Sequence, residues 1–367
     1  MTRPSGHPEL IRQLADAIRA SGPITFDAFM QAALHDPEFG YYSAGASRLG
    51  PDGDFVTASD MGPAFGAAIA RQVDQMAEAL NAAAWFTVTE FGAGRGWLAR
   101  DLIAAAQQPL RYRAVDASAG MRAALAALDT APELFDAAGD PPPPAPGVVL
   151  AVELFDALAV HRVRRREGRL LEVAVDWSDE QFVEVEVEAA ADVADWAARY
   201  GAAAEEGDEA EVCLRLHDAF ARIDHAVERG YAIVIDYGDQ ASRLYTPDRR
   251  RGTLLAYRGH RTNEAYLDHL GEQDLTAHVN FTALTDVAEQ HGWRCIATTT
   301  QDRFLIANGI VEAFEQDSYH DPEAVQQRLH IKRLIDPMGM GRIFKVYVYA
   351  KGEVTDDLPG LRDPFRG

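Results

Sequence analysis

The sequence predicts an α/β chain built on a parallel sheet, with an α-helical N-terminal cap and an inserted antiparallel region. Three features of the chain point to this. Between residues 85 and 152, strand-like apolar runs alternate with helix-like ones, the pattern of βαβ units. A glycine-rich turn, Glu90-Phe91-Gly92-Ala93-Gly94-Arg95-Gly96, joins the first of these strands to its helix. From His161 to Val187 the apolar period changes to two, with Gly168 as a turn, which reads as antiparallel strands inserted into the alternation.

Taken in order, Leu10, Leu14 and Ile18 recur at helical spacing, and Gly22-Pro23 closes that helix. Thr25 is placed to cap a second helix carrying Phe26, Phe29, Met30 and Leu34. That helix ends near His35-Asp36-Pro37, because proline disfavours helix in the residue before it. A third helix runs from Met61 towards Leu80. Trp85 to Phe91 is the first strand and Trp97 to Ala106 its helix; Tyr112 to Val115 is the second strand, followed by an alanine-rich helix through Leu128. Pro141 to Pro144 form a stiff surface linker. The wholly apolar run Val148 to Val152 suits the centre of a parallel sheet. Within the insertion, the acidic, alanine-rich stretch Ala189 to Glu211 is an excursion of helical composition. Beyond it, Leu216, Phe220, Ile223 and Val227 form a helix stripe ending at Gly230, and Tyr231 to Ile235 is a strand running into Asp236-Tyr237-Gly238. A long polar loop precedes a helix over Phe281 to His291 and strands at Trp293 to Ala297 and Phe344 to Tyr349. The expected divisions are a cap over 1–80, a core domain over 81–351 with its insertion at about 161–211, and a tail over 352–367.

Charge narrows the function. Lys and Arg number 35 against 57 Asp and Glu, a formal charge of −22, which repels nucleic acid and anionic membranes. The arginine clusters at 164–166 and 249–251 read as solvated loops or strand ends. An acidic body instead attracts a basic protein segment. Cys213 and Cys295 are far apart, so neither a disulfide framework nor a cysteine zinc site is expected, and no His/Cys/Asp cluster has metal-ligand spacing. The N-terminus lacks an apolar signal region and no run approaches ~20 apolar residues. The expectation is a cytoplasmic protein that neither inserts into membranes nor holds a metal.

The glycine turn is the centre of the chemistry. Gly92, Gly94 and Gly96 allow turn conformations and close backbone approach to a ligand. Asp116, twenty positions beyond Gly96 at the end of the next strand, can accept both ribose hydroxyl protons and would repel a 2′-phosphate. A dinucleotide fingerprint is G-x-G-x-x-G with pyrophosphate on the helix N-terminus; here the spacing is G-x-G-x-G and Glu90 precedes it. An acid there opposes a pyrophosphate, and with it an NAD-dependent oxidoreductase, and suits a cationic cofactor with an amino-acid tail. The alternative is a Glu90 that caps the sheet or pairs with Arg95.

Several segments together resemble one family. Gly40-Tyr41-Tyr42 and Gly53-Asp54-Phe55-Val56-Thr57 (its G-D-F-x-T), Glu90 to Leu98 (E-L-G-P-G-R-G-x-L) and Glu153-Leu154-Phe155-Asp156-Ala157-Leu158 (from N-E-F-F-D-A-L-P) occur in its order. So do Tyr257-Arg258-Gly259-His260, Asp274 to Phe281 (D-L-T-A-H-V-D-F), and Met340-Gly341 with Phe344-Lys345-Val346. The chain is thereby similar to class I S-adenosylmethionine-dependent methyltransferases of the mitochondrial complex I assembly-factor (protein arginine methyltransferase) family, as a bacterial member. The resemblance implies a Rossmann-like seven-stranded methyltransferase sheet, S-adenosylmethionine as cofactor, and an arginine of a protein, a respiratory-complex subunit, as methyl acceptor. Ala93 stands where the family has proline, Val152 where it has asparagine, and Asn280 where it has aspartate.

On this basis Glu90, Gly92, Gly94, Gly96 and Asp116 are expected to hold the cofactor, with Asp54 and Thr57 ordering the cap over it. Glu153 and Asp156 follow the central strand, where open α/β sheets place their ligands, and two carboxylates there can grip a guanidinium. Glu153, Asp156 and His278 are the catalytic candidates, since an arginine must lose a proton as the new bond forms. Tyr41, His161, Arg258 and His260 are candidates for the acceptor, although both His161 and His260 also suit structural roles. The remaining alternatives are a small-molecule methyltransferase and an assembly factor that keeps the fold without catalysis.

Overall fold

The computed structural model describes residues 5–43, 57–81, 86–314 and 322–365. The chain forms two compact units, each assembled from three segments. One comprises Val56–Leu154, Ala219–Tyr237 and Thr285–Gly367; the other comprises Met1–Phe55, Phe155–Asp218 and Gly238–Leu284.

The first unit is built on seven strands: β1 (Phe86–Phe91), β2 (Leu110–Asp116), β3 (Glu133–Asp136), β4 (Ala145–Val152), β5 (Val227–Asp239), β6 (Trp293–Thr300) and β7 (Phe344–Lys351). Their order across the sheet is β3-β2-β1-β4-β5-β7-β6. β1 to β5 are mutually parallel, and β7 runs antiparallel between β5 and β6. This is the seven-stranded, mostly parallel sheet of the methyltransferase fold. Every residue of β1 is buried, as is Val148 to Ala151 of β4, which is why these strands read as unbroken apolar runs.

Helix Pro63–Ala79, placed with the N-terminal cap on sequence grounds, belongs to the sheet unit. Its Phe65, Ile69, Val73 and Met76 join Leu98 and Leu102 of helix Trp97–Ala105 in one core with Val88, Val148, Leu150, Ile233 and Val346. Two other expectations shift. The helix from Leu216 stops at Ala226, and β5 begins there at Val227, so Gly230 lies inside a strand. β3 was not foreseen, because its residues Glu133-Leu134-Phe135-Asp136 are half-exposed and carry no apolar alternation. The segment after β7 packs on the same unit: Leu358 is buried, Tyr231 donates to the Thr355 carbonyl (2.9 Å), and Asn308 donates to the Gly360 carbonyl (3.1 Å).

The second unit contains the cap helices Pro8–Ser21 and Phe26–His35, the latter capped by the Thr25 hydroxyl on the Ala28 N–H (3.1 Å). The insertion is antiparallel. Strands His161–Arg166, Arg169–Ser178 and Gln181–Glu188 form a meander, and Glu209–Val212 pairs with the first of them. Helix Ala191–Tyr200 is its excursion. Phe26, Phe29, Met30 and Leu34 pack with Val175, Phe182 and Leu275 in this unit's core. The stretch read as a long polar loop contains a small sheet of Leu255–Arg258, Arg261–Asn263 and Asp274–Thr276. Strands this short give no readable period. Among the described residues no helix is long and apolar enough to cross a membrane, and no cluster of His, Cys, Asp or Glu could hold a metal ion.

Two glycines of the central strands, Gly147 and Gly230, face neighbouring backbone directly. A Cβ on Gly147 would fall 2.0 Å from the Thr87 carbonyl oxygen, and one on Gly230 would fall 1.9 Å from the Gly147 oxygen. Both contacts are with backbone, which cannot swing aside. Gly147→Ala should therefore destabilise the fold by about 3 kcal/mol or more, the upper range for overpacking. Urea unfolding of the two proteins measures this; an unchanged midpoint would show that the strands can separate at no cost.

Candidate active site

The turn after β1 is shaped by three left-handed glycines, Gly92 (φ +74°), Gly94 (φ +52°) and Gly96 (φ +77°). Gly96 also has no room for a side chain, since a Cβ would lie 2.5 Å from Leu125 Cδ2 and 2.6 Å from Leu128 Cδ1. The turn is pinned to β2 by Asp116. One oxygen of this buried carboxylate accepts the Gly94 N–H (2.8 Å), the other the Ser118 N–H (2.8 Å). Burial raises the Asp116 pKa, and these two N–H groups oppose the rise.

Glu90 is buried at the end of β1 and accepts the Tyr112 hydroxyl at 2.6 Å. It does not pair with Arg95, whose guanidinium instead binds Asp60 (2.9 Å). Burial pushes the Glu90 carboxyl up to about 8, with the Tyr112 bond opposing and the Asp116 charge adding to the rise. Tyr112 was not singled out on sequence grounds, but it was readable. Ala114 is the direct partner of Glu90 in the β1–β2 register, and Tyr112, two residues earlier, is the diagonal neighbour on the same face.

Glu153 leaves the end of β4 at φ +53°, a left-handed conformation uncommon for a residue with a side chain. Its Oε1 accepts the Ala58 N–H (2.8 Å). Ala58 opens the short 3₁₀ turn Ala58–Met61, whose N-cap is Thr57. Thr57 and Asp60 form a capping box there, the Thr57 N–H donating to Asp60 Oδ2 at 3.0 Å. The turn that Thr57 caps is thus tied to Glu153 by Ala58 and to the glycine turn by Asp60 and Arg95. Asp60 was missed, although Thr57-x-x-Asp60 is a legible capping signature. Asp54 lies outside the described residues.

The other candidates belong to the second compact unit. Asp156 is buried, and its carbonyl accepts the Ala277 N–H (3.0 Å). Tyr41 is fully buried edge-on to Tyr42, whose hydroxyl donates to Asp274 (2.9 Å); Asp274 and Tyr42 were quoted in motifs but given no role. His278 is half-buried with Arg249 beside Nδ1 (3.4 Å), and its N–H donates to Thr253 Oγ1 (3.0 Å). His161 is bound to buried Glu172 (2.6 Å) within the inserted sheet, the structural role weighed for it. Arg258 and His260 occupy an exposed hairpin turn, with Arg258 3.6 Å from Glu272. Asn280, where the family has aspartate, accepts the Ala283 N–H (3.0 Å) and so caps helix Phe281–Gln290, as an aspartate could.

A left-handed glycine turn flanked by one buried acid for a cation and another for hydroxyls fits a nucleoside with a cationic amino-acid tail. The family described as "Putative S-adenosyl-L-methionine-dependent methyltransferase" matches residues 68–299. The chain belongs to this family. Its cofactor is S-adenosylmethionine. A crystal structure of a Burkholderia thailandensis "likely methyl transferase" bound to S-adenosyl-homocysteine is 30% identical, with a TM-score of 0.88, covering 100% of this chain and 98% of that one. The Drosophila melanogaster mitochondrial protein arginine methyltransferase NDUFAF7 homolog is 26% identical, over 96% of this chain and 87% of its own length. The human NDUFAF7 protein is 27% identical over 92% and 82%.

A Glu90 carboxyl that meets the cofactor's cationic end should make cofactor uptake depend on pH. In the unfolded chain it titrates near 4.5 and in the folded one near 8, so its contribution to stability is complete below 4.5 and is lost as pH rises to 8. A bound cation reverses that loss by favouring the ionised form. Between pH 6 and 8, affinity for S-adenosylmethionine should rise with pH, and binding should release close to one proton near pH 6 and about half a proton near 8, with both effects fading above that. Titration calorimetry in buffers of different ionisation enthalpy measures the proton. Glu90→Gln should bind more weakly and without the slope; a pH-independent affinity in the unmodified protein would show that Glu90 does not meet the cation.

Proposed function

We propose that the protein transfers the methyl group of S-adenosylmethionine to an arginine side chain of a protein client in the cytoplasm, with a respiratory-complex subunit the kind of client the family resemblance suggests. The observation that carries this is similarity over nearly the whole chain to proteins named arginine methyltransferases. The placement of Glu153 supports it. The cofactor supplies an electrophilic methyl on a sulfonium. The protein must hold the acceptor in line and manage its charge. Arginine is protonated at neutral pH, so the attacking nitrogen needs a carboxylate that binds the guanidinium and accepts its proton. Glu153 takes this part: its Ala58 bond fixes one carboxylate oxygen and hence the direction of the other. Asp156 and His278 are proposed as the second carboxylate and a proton acceptor, and Arg258 and His260 as acceptor contacts, whereas Tyr41, with no exposed surface, packs against Tyr42. Asp116 takes the ribose hydroxyls, and Glu90 the cationic end of the cofactor. Thr57 serves the same site through the turn it caps. The acidic chain, at −22, suits a basic client segment.

Glu153→Gln keeps size and hydrogen bonding but removes the charge. Cofactor affinity should change little, and methyl transfer should fall roughly a hundredfold or more. Mass spectrometry of arginine methylation in wild-type, deletion and Glu153→Gln strains reads this. Identical methylation in wild-type and deletion strains would remove the arginine assignment. Binding of S-adenosyl-homocysteine without any methyl transfer would favour an assembly factor, and transfer to non-protein acceptors a small-molecule enzyme.

A further inference from the structure

Asp236 lies near the end of β5 and has no exposed surface. One oxygen of its carboxylate accepts the Leu154 N–H (3.1 Å), the other the Tyr237 N–H (2.8 Å). Leu154 follows Glu153, where the chain turns out of the sheet. The β4–β5 ladder runs to Val152 opposite Ile235, and the Glu153 N–H adds one more bond, to the Ile235 carbonyl (2.9 Å). The left-handed backbone of Glu153 then carries the chain away, and the ladder no longer serves the Leu154 N–H. Asp236 takes it.

What this carboxylate holds has two sides. Upstream, Glu153 reaches the Ala58 N–H, and with it the turn joined to Arg95. Downstream, the Leu154 side chain lies under the glycine turn, with Cδ1 3.0 Å from where a Cβ on Gly92 would be. A left-handed residue other than glycine costs free energy and persists only where its surroundings hold it. Two oxygens serving two backbone N–H groups at once can do so. An asparagine would turn its NH₂ group towards one of them and lose that bond.

We propose that Asp236 is a positioning residue of the methyl-transfer site, fixing the turn at Glu153 and Leu154 so that the Glu153 carboxylate stays on Ala58 and Leu154 stays against Gly92. Being fully buried, it touches neither cofactor nor acceptor. The importance of Glu153 for the acceptor rests on the function proposed above; the role of Asp236 in holding the turn does not.

Two measurements test it, and neither needs an acceptor. In Asp236→Asn, hydrogen exchange at Leu154 and Ala58 should quicken roughly tenfold or more, the scale of one lost charge-assisted bond, while Gly94 and Ser118, held by Asp116, keep their protection. Unchanged exchange at Ala58, or equal loss at all four amides, would overturn the proposal. The second is a double-mutant cycle with Glu153→Gly, which takes the left-handed conformation without strain. The drop in urea midpoint caused by Asp236→Asn should be clearly smaller in the Glu153→Gly background. Equal drops would mean that Asp236 is structural filler unconnected with the turn. If Asp236→Asn does not fold alone, a folded double variant supports the proposal and an unfolded one rejects it. Absence of arginine methylation in cells would leave these outcomes unaffected.

Discussion

Five adjacent parallel strands deliver five acids to one edge of the sheet: Asp136 and Asp116 end β3 and β2, Glu90 is the next-to-last residue of β1, Glu153 follows β4, and Asp236 lies near the end of β5. Parallel strands expose the same end at the same edge, so negative charge accumulates there. Each acid has its partners. Arg122 pairs with Asp136 (2.8 Å), backbone N–H groups serve Asp116 and Asp236, the Ala58 N–H serves Glu153, and Glu90 has Tyr112 and a raised pKa. Backbone N–H groups reach four of the five, Asp136 also accepting that of Ala138 (2.9 Å), and those on Asp116, Glu153 and Asp236 shape the glycine turn, the 3₁₀ turn after Thr57 and the exit from β4. The local folds of the site are thus consequences of neutralising one edge.

That arrangement also suits a cationic cofactor. A phosphate brought to this edge would meet carboxylates of like sign, whereas a sulfonium or ammonium brings charge of the opposite sign. Spacing in the glycine turn and the sign of the edge point the same way.

Much of this was legible in the sequence where one physical signal dominated. The buried strands β1 and β4 announced themselves as apolar runs, the inserted strands by their period of two, and the second helix by the Thr25 cap. Glu90, Asp116 and Glu153 were readable because strand ends and motifs coincide. Illegible were features that depend on partners distant in sequence. The strands at Leu255–Arg258, Arg261–Asn263 and Asp274–Thr276 are too short and polar to show a period, and β3 is a strand only because β2 lies beside it. Helix Pro63–Ala79 looked like part of the cap because amphipathicity says that a face is buried, not against what. Asp236 appeared only as the end of a strand; that it receives Leu154 depends on register.

The place of β7 has a consequence for how the chain is made. It is the last of the seven strands in chain order, yet it lies between β5 and β6 and is hydrogen-bonded to both. Until it emerges from the ribosome, β5 has an open edge and β6 has no neighbour in the sheet. The nascent protein therefore carries an unpaired strand edge all the while the chain between Asp239 and Phe344 is made, the condition under which chains mispair or recruit chaperones. Completion of the fold is in this sense a late, single event, and the binding edge of the sheet matures with it.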